Sequence, residues 1–318
     1  MAFLHSGREA LKTEATKYFK YFFREQDPPP IVDQVKVVSL FNRFITENEA
    51  VALYCPVVLS EVKAVLTLFK HDKSPGPDGL TVEFFIHFFD LVGEELLEMV
   101  EEARTKGISS GGLNSNFLGL IPKVNKPQTF GDYMLISLCK LCYKIITKII
   151  ENKLKPLLSR SLSEEQLGFL KGQHIHDAIG MVHECLHSIK RKSTHSMVLK
   201  LDLQKAYDCI NWDLLRMILI QIGLGIDMTN WIMSCIVSSS FVVLLNGETT
   251  DFFKSGRGLR QGCPLSPLLF ILVMEGLSLL LKESQRNGLM TGIKVSRTIK
   301  ILHILSVDDV IIVKFHIK

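Results

Sequence analysis

Three carboxylates at the ends of apolar, strand-like segments constrain this chain more than any other feature. Segment 198–203 alternates apolar and polar residues, as a half-buried strand does, and it carries Asp202. Asp308 and Asp309 lie far downstream between two apolar runs, as expected for a β-hairpin with acids at its turn. An acid at the end of an apolar strand costs free energy unless a cation compensates its charge. If these strands are neighbours in one sheet, their carboxylates come together.

Carboxylates gathered in this way would suit Mg²⁺, because this ion prefers hard oxygen ligands and shares its shell with substrate phosphates. Two such ions would activate an attacking hydroxyl group and neutralise a leaving pyrophosphate in an in-line phosphoryl transfer. The alternative is that each acid merely caps a turn. The spacing of these residues alone leaves both interpretations open.

The other segments predict an α+β chain rich in helices. Apolar residues at helical spacing predict the helices, and three prolines at 28–30 end the first of them. Asn246-Gly247 predicts a tight hairpin turn, because both residues tolerate positive φ. Predicted helices cover residues 9–23, 60–69 with Ser60 as the cap, 82–103, 136–158, 176–190 and 267–282; predicted strands cover residues 117–121, 198–203, 241–245, 248–253, 299–305 and 310–315.

Composition adds only broad limits. With 318 residues, of which 47% are hydrophobic and 22% charged, the chain is expected to fold as one large domain or two intimate ones. A net charge of +4 suits a polyanionic partner without establishing one. We expect neither a signal peptide nor a membrane span, since the longest apolar run is interrupted by Glu275 and serines. Seven irregularly spaced cysteines indicate free thiols in an intracellular compartment.

Seven motifs in a fixed order resemble the reverse transcriptase of non-LTR, LINE-type retrotransposons, especially those of plants. They spread over most of the chain, and the aromatic segment near the amino terminus is similar to the region that precedes the polymerase in such elements. The motifs are 73–79 (KSPGPDG), 120–123 (LIPK), 136–139 (ISLC), 168–172 (GFLKG), 199–208 (LKLDLQKAYD), 258–267 (GLRQGCPLSP) and 307–309 (VDD).

The resemblance implies a right-hand polymerase fold with fingers and an antiparallel palm sheet packed by helices. It implies a helical extension and linker at 1–58, a fingers-like region at 59–193 and a palm at 194–318. The thumb is expected to be missing, because the chain stops nine residues after Asp309. The implied reaction is RNA-directed addition of deoxynucleotides to a DNA 3′-hydroxyl, with an RNA template, a DNA primer and deoxynucleoside triphosphates as partners. The expected location is the nucleus, after synthesis in the cytoplasm.

Residue by residue, the resemblance makes Asp202, Asp308 and Asp309 the ligands of two Mg²⁺ or Mn²⁺ ions, assisted by the carbonyl group of Leu203. Tyr207 matches the aromatic gate beneath the incoming sugar, where a ring would clash with a 2′-hydroxyl; packing on the following helix is the alternative. The nascent base pair is expected to lie along three further residues, Arg260, Gln261 and Gly262. Lys171 is expected to contact template or triphosphate, although an exposed lysine often has no specific partner.

Several positions depart from the family pattern. Met134-Leu135 stands where such enzymes usually carry Arg-Pro, so a charge that would face the triphosphate is absent. Gln173 replaces an arginine after the fingers motif, and Ser306-Val307 replaces an aromatic residue and an alanine before the acids. These changes favour a second interpretation, a catalytically inactive remnant that at most binds RNA.

His183-Glu184-Cys185-Leu186-His187 supplies a third, minor alternative. On a helix, this His-Glu-x-x-His pattern places two histidines on one face to hold zinc, with the glutamate as the base of a metalloprotease. No third ligand follows at metalloprotease spacing.

Overall fold

The computed structural model describes residues 7–108, 112–163, 165–168, 175–192, 196–295, 300–307 and 309–315. Within these ranges the chain forms eleven α-helices and three separate β-sheets of five, three and two strands. The predicted α+β class is therefore confirmed. In the same ranges, no helix combines the length and the apolar character that crossing a bilayer would need.

The amino-terminal part is helical, in the order α1 (Arg8–Phe22), α2 (Ile31–Val38), α3 (Glu47–Leu53), α4 (Leu59–Thr67), α5 (Val82–His87) and α6 (Phe89–Lys106). The prediction of one helix at 82–103 was wrong, because Phe88 departs from helical geometry, with φ −101° and ψ 20°, and separates α5 from α6. Ser60 is not the cap of α4 either. The Val58 N–H before this helix donates instead to the carboxylate of Glu61, at 3.0 Å.

Strands β1 (Ser115–Pro122) and β2 (Tyr133–Cys139) follow and pair antiparallel along seven register positions. The prediction of a helix from residue 136 was wrong, since α7 (Leu141–Ser159) begins only after β2 ends. A short apolar run fits a buried strand and a buried helix equally well, and pairing with β1 decides for the strand.

The five-stranded sheet is completed by β4 (Ser240–Leu245), β5 (Glu248–Thr249) and β6 (Phe253–Lys254). Strand β4 runs parallel to β1 and turns into β5 at Asn246-Gly247, whose φ values of 51° and 83° confirm the predicted turn. Helix α1 packs on this sheet, because its buried Phe19 and the adjoining Phe23 share a core with Phe241 and Phe253.

The three-stranded sheet has the order β3–β10–β9, formed by β3 (Ser196–Asp202), β9 (His303–Ser306) and β10 (Asp309–Phe315). Four helices, α8 (Ile175–Lys192), α9 (Trp212–Gln221), α10 (Ile226–Val237) and α11 (Ser266–Arg286), and the short pair β7 (Ile293–Lys294) and β8 (Lys300–Ile301) complete the described chain.

The main core takes side chains from residues 41 to 310 and includes most of the buried faces of α7, α10 and α11. It therefore draws on both sides of residue 193, where we expect the fingers to end. The three domain ranges stay predictions.

Candidate active site

Asp202 and Asp309 lie side by side in the three-stranded sheet. Asp202 is the last residue of β3, Asp309 is the first residue of β10, and the two are direct register partners. Directly opposed residues of an antiparallel pair project from the same face of the sheet. The two strands are thus neighbours, as the sequence suggested, and the two carboxylates share one face. Asp308 lies outside the described residues.

The negative charges of this carboxylate pair are stabilised by a nearby cation. Like charges directly opposite one another on a sheet destabilise it. The ammonium group of Lys200 compensates in part, because its Nζ lies 3.0 Å from Oδ1 of Asp309. Both side chains of this ion pair are about half exposed or more, so it contributes little to stability and a stronger cation could replace it. The donor chemistry therefore fits a divalent ion, although the described residues contain no group of three or more His, Cys, Asp or Glu that could hold one.

The hairpin that presents Asp309 has a strained turn. Asp309 pairs with Ser306 across β9 and β10, so only two residues connect the strands. The first, Val307, has φ 59°, a left-handed conformation that a β-branched residue rarely adopts and that costs about 1 to 3 kcal/mol. Gly168 allows close approach here, because an added Cβ would lie 3.0 Å from Cγ2 of Val307. The Leu167 N–H also donates to the Leu305 carbonyl at 2.8 Å, which ties the chain before the fingers motif to the hairpin.

A cavity of about 340 Å³ opens beside the hairpin. It brings together Tyr207, Gln261 and Gly262, which the sequence placed at the nucleotide, with Met134, where the family usually has arginine. Its walls are formed by Lys123, Tyr133, Met134, Leu135, Lys205, Ala206, Tyr207, Asp208, Arg260, Gln261, Gly262, Pro267 and Val307.

Tyr207 lies in the cavity wall and packs on a helix, but that helix is α11 and not the one that follows it in the chain. Its ring lines the cavity and also stacks on Phe270 of α11, with ring centroids 4.2 Å apart and planes 11° from parallel. Helix packing therefore fixes the ring in the cavity wall. The carbonyl of Leu203, expected to assist the metal, accepts a hydrogen bond from the Ala206 N–H at 3.3 Å within the same turn.

The loop at 258–262 is fixed by backbone contacts on two sides. The Leu259 N–H donates to the Tyr207 carbonyl at 2.7 Å, and the Ser137 N–H donates to the Gln261 carbonyl at 2.9 Å. Gly262 has φ 110°, and a Cβ there would lie 2.6 Å from the Ser137 carbonyl oxygen. Only glycine allows this approach, so the loop joins the turn after β3 to strand β2.

Arg260 differs from its neighbours because its side chain turns into the protein. The residue is 7% exposed, and its guanidinium donates to Oδ1 of Asn114 and to the carbonyl of Cys235. It also lies 4.3 Å above the ring of Tyr143. The charge of Arg260 thus fastens the loop to the core, and because the residue also lines the cavity, its expected contact with the nucleotide stays a prediction.

Asp208 is a site residue that the sequence analysis did not single out. It is 4% exposed in the cavity wall, and burial raises the pKa of its carboxyl to about 7, while the charges of Lys205, Lys123 and Arg257 act in the opposite direction. Its position at the end of the motif 199–208 was the available signal. The cavity therefore contains a carboxyl group that titrates near neutral pH.

Other predicted residues lie elsewhere or outside the described part of the chain. Lys171 and Gln173 are outside the described residues. His183 and His187 lie exposed on α8, and among the described residues no third ligand completes a metal-binding cluster with them.

Comparison with known proteins gives consistent matches. The family model described as reverse transcriptase (RNA-dependent DNA polymerase) matches residues 121–315. The Transposon TX1 uncharacterized 149 kDa protein of Xenopus laevis is 29% identical over 307 residues, covering 96% of this chain and 23% of that protein. A Retrovirus-related Pol polyprotein from type-1 retrotransposable element R2 of Popillia japonica is 29% identical over 117 residues, covering 37% of this chain and 18% of that protein.

A shorter match involves a plant. An uncharacterized mitochondrial protein of Arabidopsis thaliana is 46% identical over 67 residues, covering 21% of this chain and 55% of that protein. The matched part of the chain covers about a quarter of the TX1 protein and a smaller share of the R2 polyprotein. Both relatives therefore extend well beyond the part compared.

Proposed function

Because this chain belongs to the reverse transcriptase (RNA-dependent DNA polymerase) family, we propose that it carries the nucleotide-addition site of a non-LTR retrotransposon. The observation that carries this proposal is the pairing of Asp202 with Asp309 on one face of the palm-like sheet. The hairpin that holds Asp309 also contributes Val307 to the cavity, so the carboxylates lie close to a space where a substrate can bind. The template would be RNA, and the primer would be DNA.

The cavity suits a deoxynucleoside triphosphate. Lys123 and Lys205 place two positive charges in its wall, which would attract the phosphates. The rigid ring of Tyr207 would lie beneath the sugar and clash with a 2′-hydroxyl group, and stacking on Phe270 keeps it from yielding. The backbone at Gln261 and Gly262 would lie along the new base pair, since glycine permits close approach.

Asp202, Asp309 and Asp308 would hold two Mg²⁺ or Mn²⁺ ions. When bound, such ions would favour the deprotonated primer hydroxyl and neutralise the charge that develops on the phosphates. The contribution of the chain itself is orientation. The paired strands fix the direction of the carboxylates, and the loop at 258–262 fixes the nucleotide so that the 3′-oxygen can attack the α-phosphorus while pyrophosphate leaves on the far side.

We also propose that the element is of the plant LINE type and that the protein acts on chromosomal DNA in the nucleus. The motif KSPGPDG supports the first part. Its Gly76 packs against the chain before α7, where a Cβ would lie 2.6 Å from the backbone nitrogen of Lys140, so the loop is a built part of the fold. The second part follows from the substrate that the reaction would require.

Two observations favour the alternative of an inactive, RNA-binding remnant. Val307 strains the turn that presents the acids, and Met134 leaves an apolar side chain in the cavity wall where the family usually has a positive charge. Both changes would lower nucleotide addition without unfolding the chain.

Primer extension on poly(rA)/oligo(dT) with Mg²⁺ or Mn²⁺ distinguishes an active polymerase from an inactive remnant. We expect extension that falls at least about a hundredfold in Asp202→Asn, which keeps the shape of the side chain but loses its charge. Asp251→Asn, at an exposed position outside the cavity lining, is the matched control. The same series is run on the chain joined to the thumb region of a related element. No extension in either form, with RNA binding retained, would establish the remnant instead.

A further inference from the structure

Helix α1 ends with two neighbouring phenylalanines that face different surroundings. Phe23 is 4% exposed and stacks on Phe241 and Phe253, with ring centroids 5.0 and 6.3 Å away, so it anchors the helix to the five-stranded sheet. Phe22 is only partly buried at the edge of that core. Its ring packs on Tyr18 and Phe23 and also contacts side chains outside that core.

Phe22 contacts two cations that belong to the region of the active site. The Nζ of Lys205 lies 4.4 Å from the centre of its ring, and the guanidinium carbon of Arg257 lies 5.8 Å from the same ring. Arg257 also donates two hydrogen bonds to the Phe22 carbonyl, from Nη2 at 2.9 Å and from Nε at 3.3 Å. A further backbone hydrogen bond joins the same two segments, since the Gly256 N–H donates to the Phe23 carbonyl at 2.8 Å.

Lys205 belongs to the nucleotide cavity, and Arg257 lines a small neighbouring pocket that shares Asp208 and Arg260 with it. The φ of Lys205, at 52°, holds the backbone in a left-handed turn two residues before Tyr207. Arg257 immediately precedes the loop at 258–262, and its charge, like that of Lys205, acts on the buried carboxyl of Asp208. A free lysine side chain loses rotamer entropy when a ligand orders it. The Phe22 ring already limits the conformations of the Lys205 side chain, so it would reduce that loss of entropy.

We propose that Phe22 is a positioning residue of the nucleotide cavity, holding Lys205 where its charge meets the phosphates of an incoming nucleotide, while Arg257 fixes the end of α1 beside it. Phe22 lies outside residues 121–315, which match the family model, so a helix outside the matched region would complete the site. This inference rests on the proposed function, because it assumes that the cavity takes a triphosphate. The substitution Phe22→Leu tests it, since it removes the aromatic face but keeps an apolar side chain.

The first measurement is the acylation rate of Lys205, followed by mass spectrometry in the intact chain without metal or primer. The Phe22 ring covers one side of the amine, so we expect acylation to rise roughly two- to fivefold in Phe22→Leu, the range that corresponds to an exposed cation–π contact. Phe22→Tyr retains a ring and should match the wild type. Tyr21→Leu is the control, because Tyr21 is 65% exposed on the same helix. Equal rates in all four proteins would overturn the proposal.

The second measurement uses inorganic tripolyphosphate as a probe of the phosphate site. It should protect Lys205 from acylation in the wild type, and Phe22→Leu should need roughly two- to fivefold more of it for half protection. The melting temperature should stay near that of the wild type, because Phe19 and Phe23 still anchor α1. Faster acylation without protection by tripolyphosphate would overturn the assignment to a phosphate site. A failure of primer extension alone concerns the proposed function, since labelling requires no turnover.

Discussion

Asp208→Asn should stabilise the folded chain at alkaline pH and do so much less in acid. The Asp208 carboxyl stays protonated in the folded chain up to a pKa of about 7, because burial disfavours its charge, whereas an ordinary aspartate ionises near 3.8. Folding therefore takes up a proton between these two pH values. Raising the pH across this window removes stability by about 1.4 kcal/mol per pH unit, or about 4 kcal/mol in total. Above pH 7 the loss is complete and stays constant.

Asparagine has nearly the same shape and cannot ionise, so the Asp208→Asn variant does not lose stability in this way as the pH rises. We expect the gain in free energy of unfolding from Asp208→Asn to be about 2 to 3 kcal/mol larger at pH 8 than at pH 5. Urea unfolding of both proteins at the two pH values measures it. Asp213→Asn, an exposed change on α9, is the control and should show no such difference. A gain that is the same at both pH values, or larger at pH 5, would refute the assignment of a neutral buried carboxyl.

Three further changes address the site. Arg260→Met should lower the free energy of unfolding by about 3 kcal/mol, because Oδ1 of Asn114 and the Cys235 carbonyl lose their buried donor, and calorimetry would detect it; a normal melting temperature with a raised KM would instead favour direct substrate contact. Met134→Arg should restore a charge to the cavity wall and lower the KM for deoxynucleotides by about tenfold in primer extension; an unchanged KM would argue against phosphates at that wall. Tyr207→Val should raise ribonucleotide incorporation relative to deoxynucleotide incorporation by at least about tenfold, and unchanged discrimination would leave only the packing role.

The carboxylate pair was accessible from the sequence because strand signals are local. Residues 198–203 alternate with period two, and an apolar run follows Asp309, so two strands could be predicted and their pairing anticipated. Strand β2 was mistaken for a helix because its apolar run is short, and its identity depends on β1, which is separated from it by a loop. Helices α9 and α10 were not predicted at all.

The roles of individual side chains were harder to predict from the sequence. The burial of Arg260 depends on Asn114 and Cys235, which come from distant parts of the chain, and no local pattern encodes such a contact. Lys205 and Asp208 gain their roles from the cavity that β2, the turn after β3 and the loop at 258–262 form together. Sequence motifs identified the segments of the site, whereas the direction of each side chain had to come from the fold.

The docking of α1 on the five-stranded sheet has a consequence for the order in which this chain can mature during translation. Phe23 leaves the ribosome more than 200 residues before its stacking partners Phe241 and Phe253 are made. At ordinary synthesis rates this amounts to roughly 10 to 40 seconds. Phe130, which Phe19 contacts, is made about halfway through that interval, but until its end Phe23 lacks both of its stacking partners. Helix α1 therefore completes its packing only late in synthesis, and its aromatic face is a surface that a chaperone would protect until then.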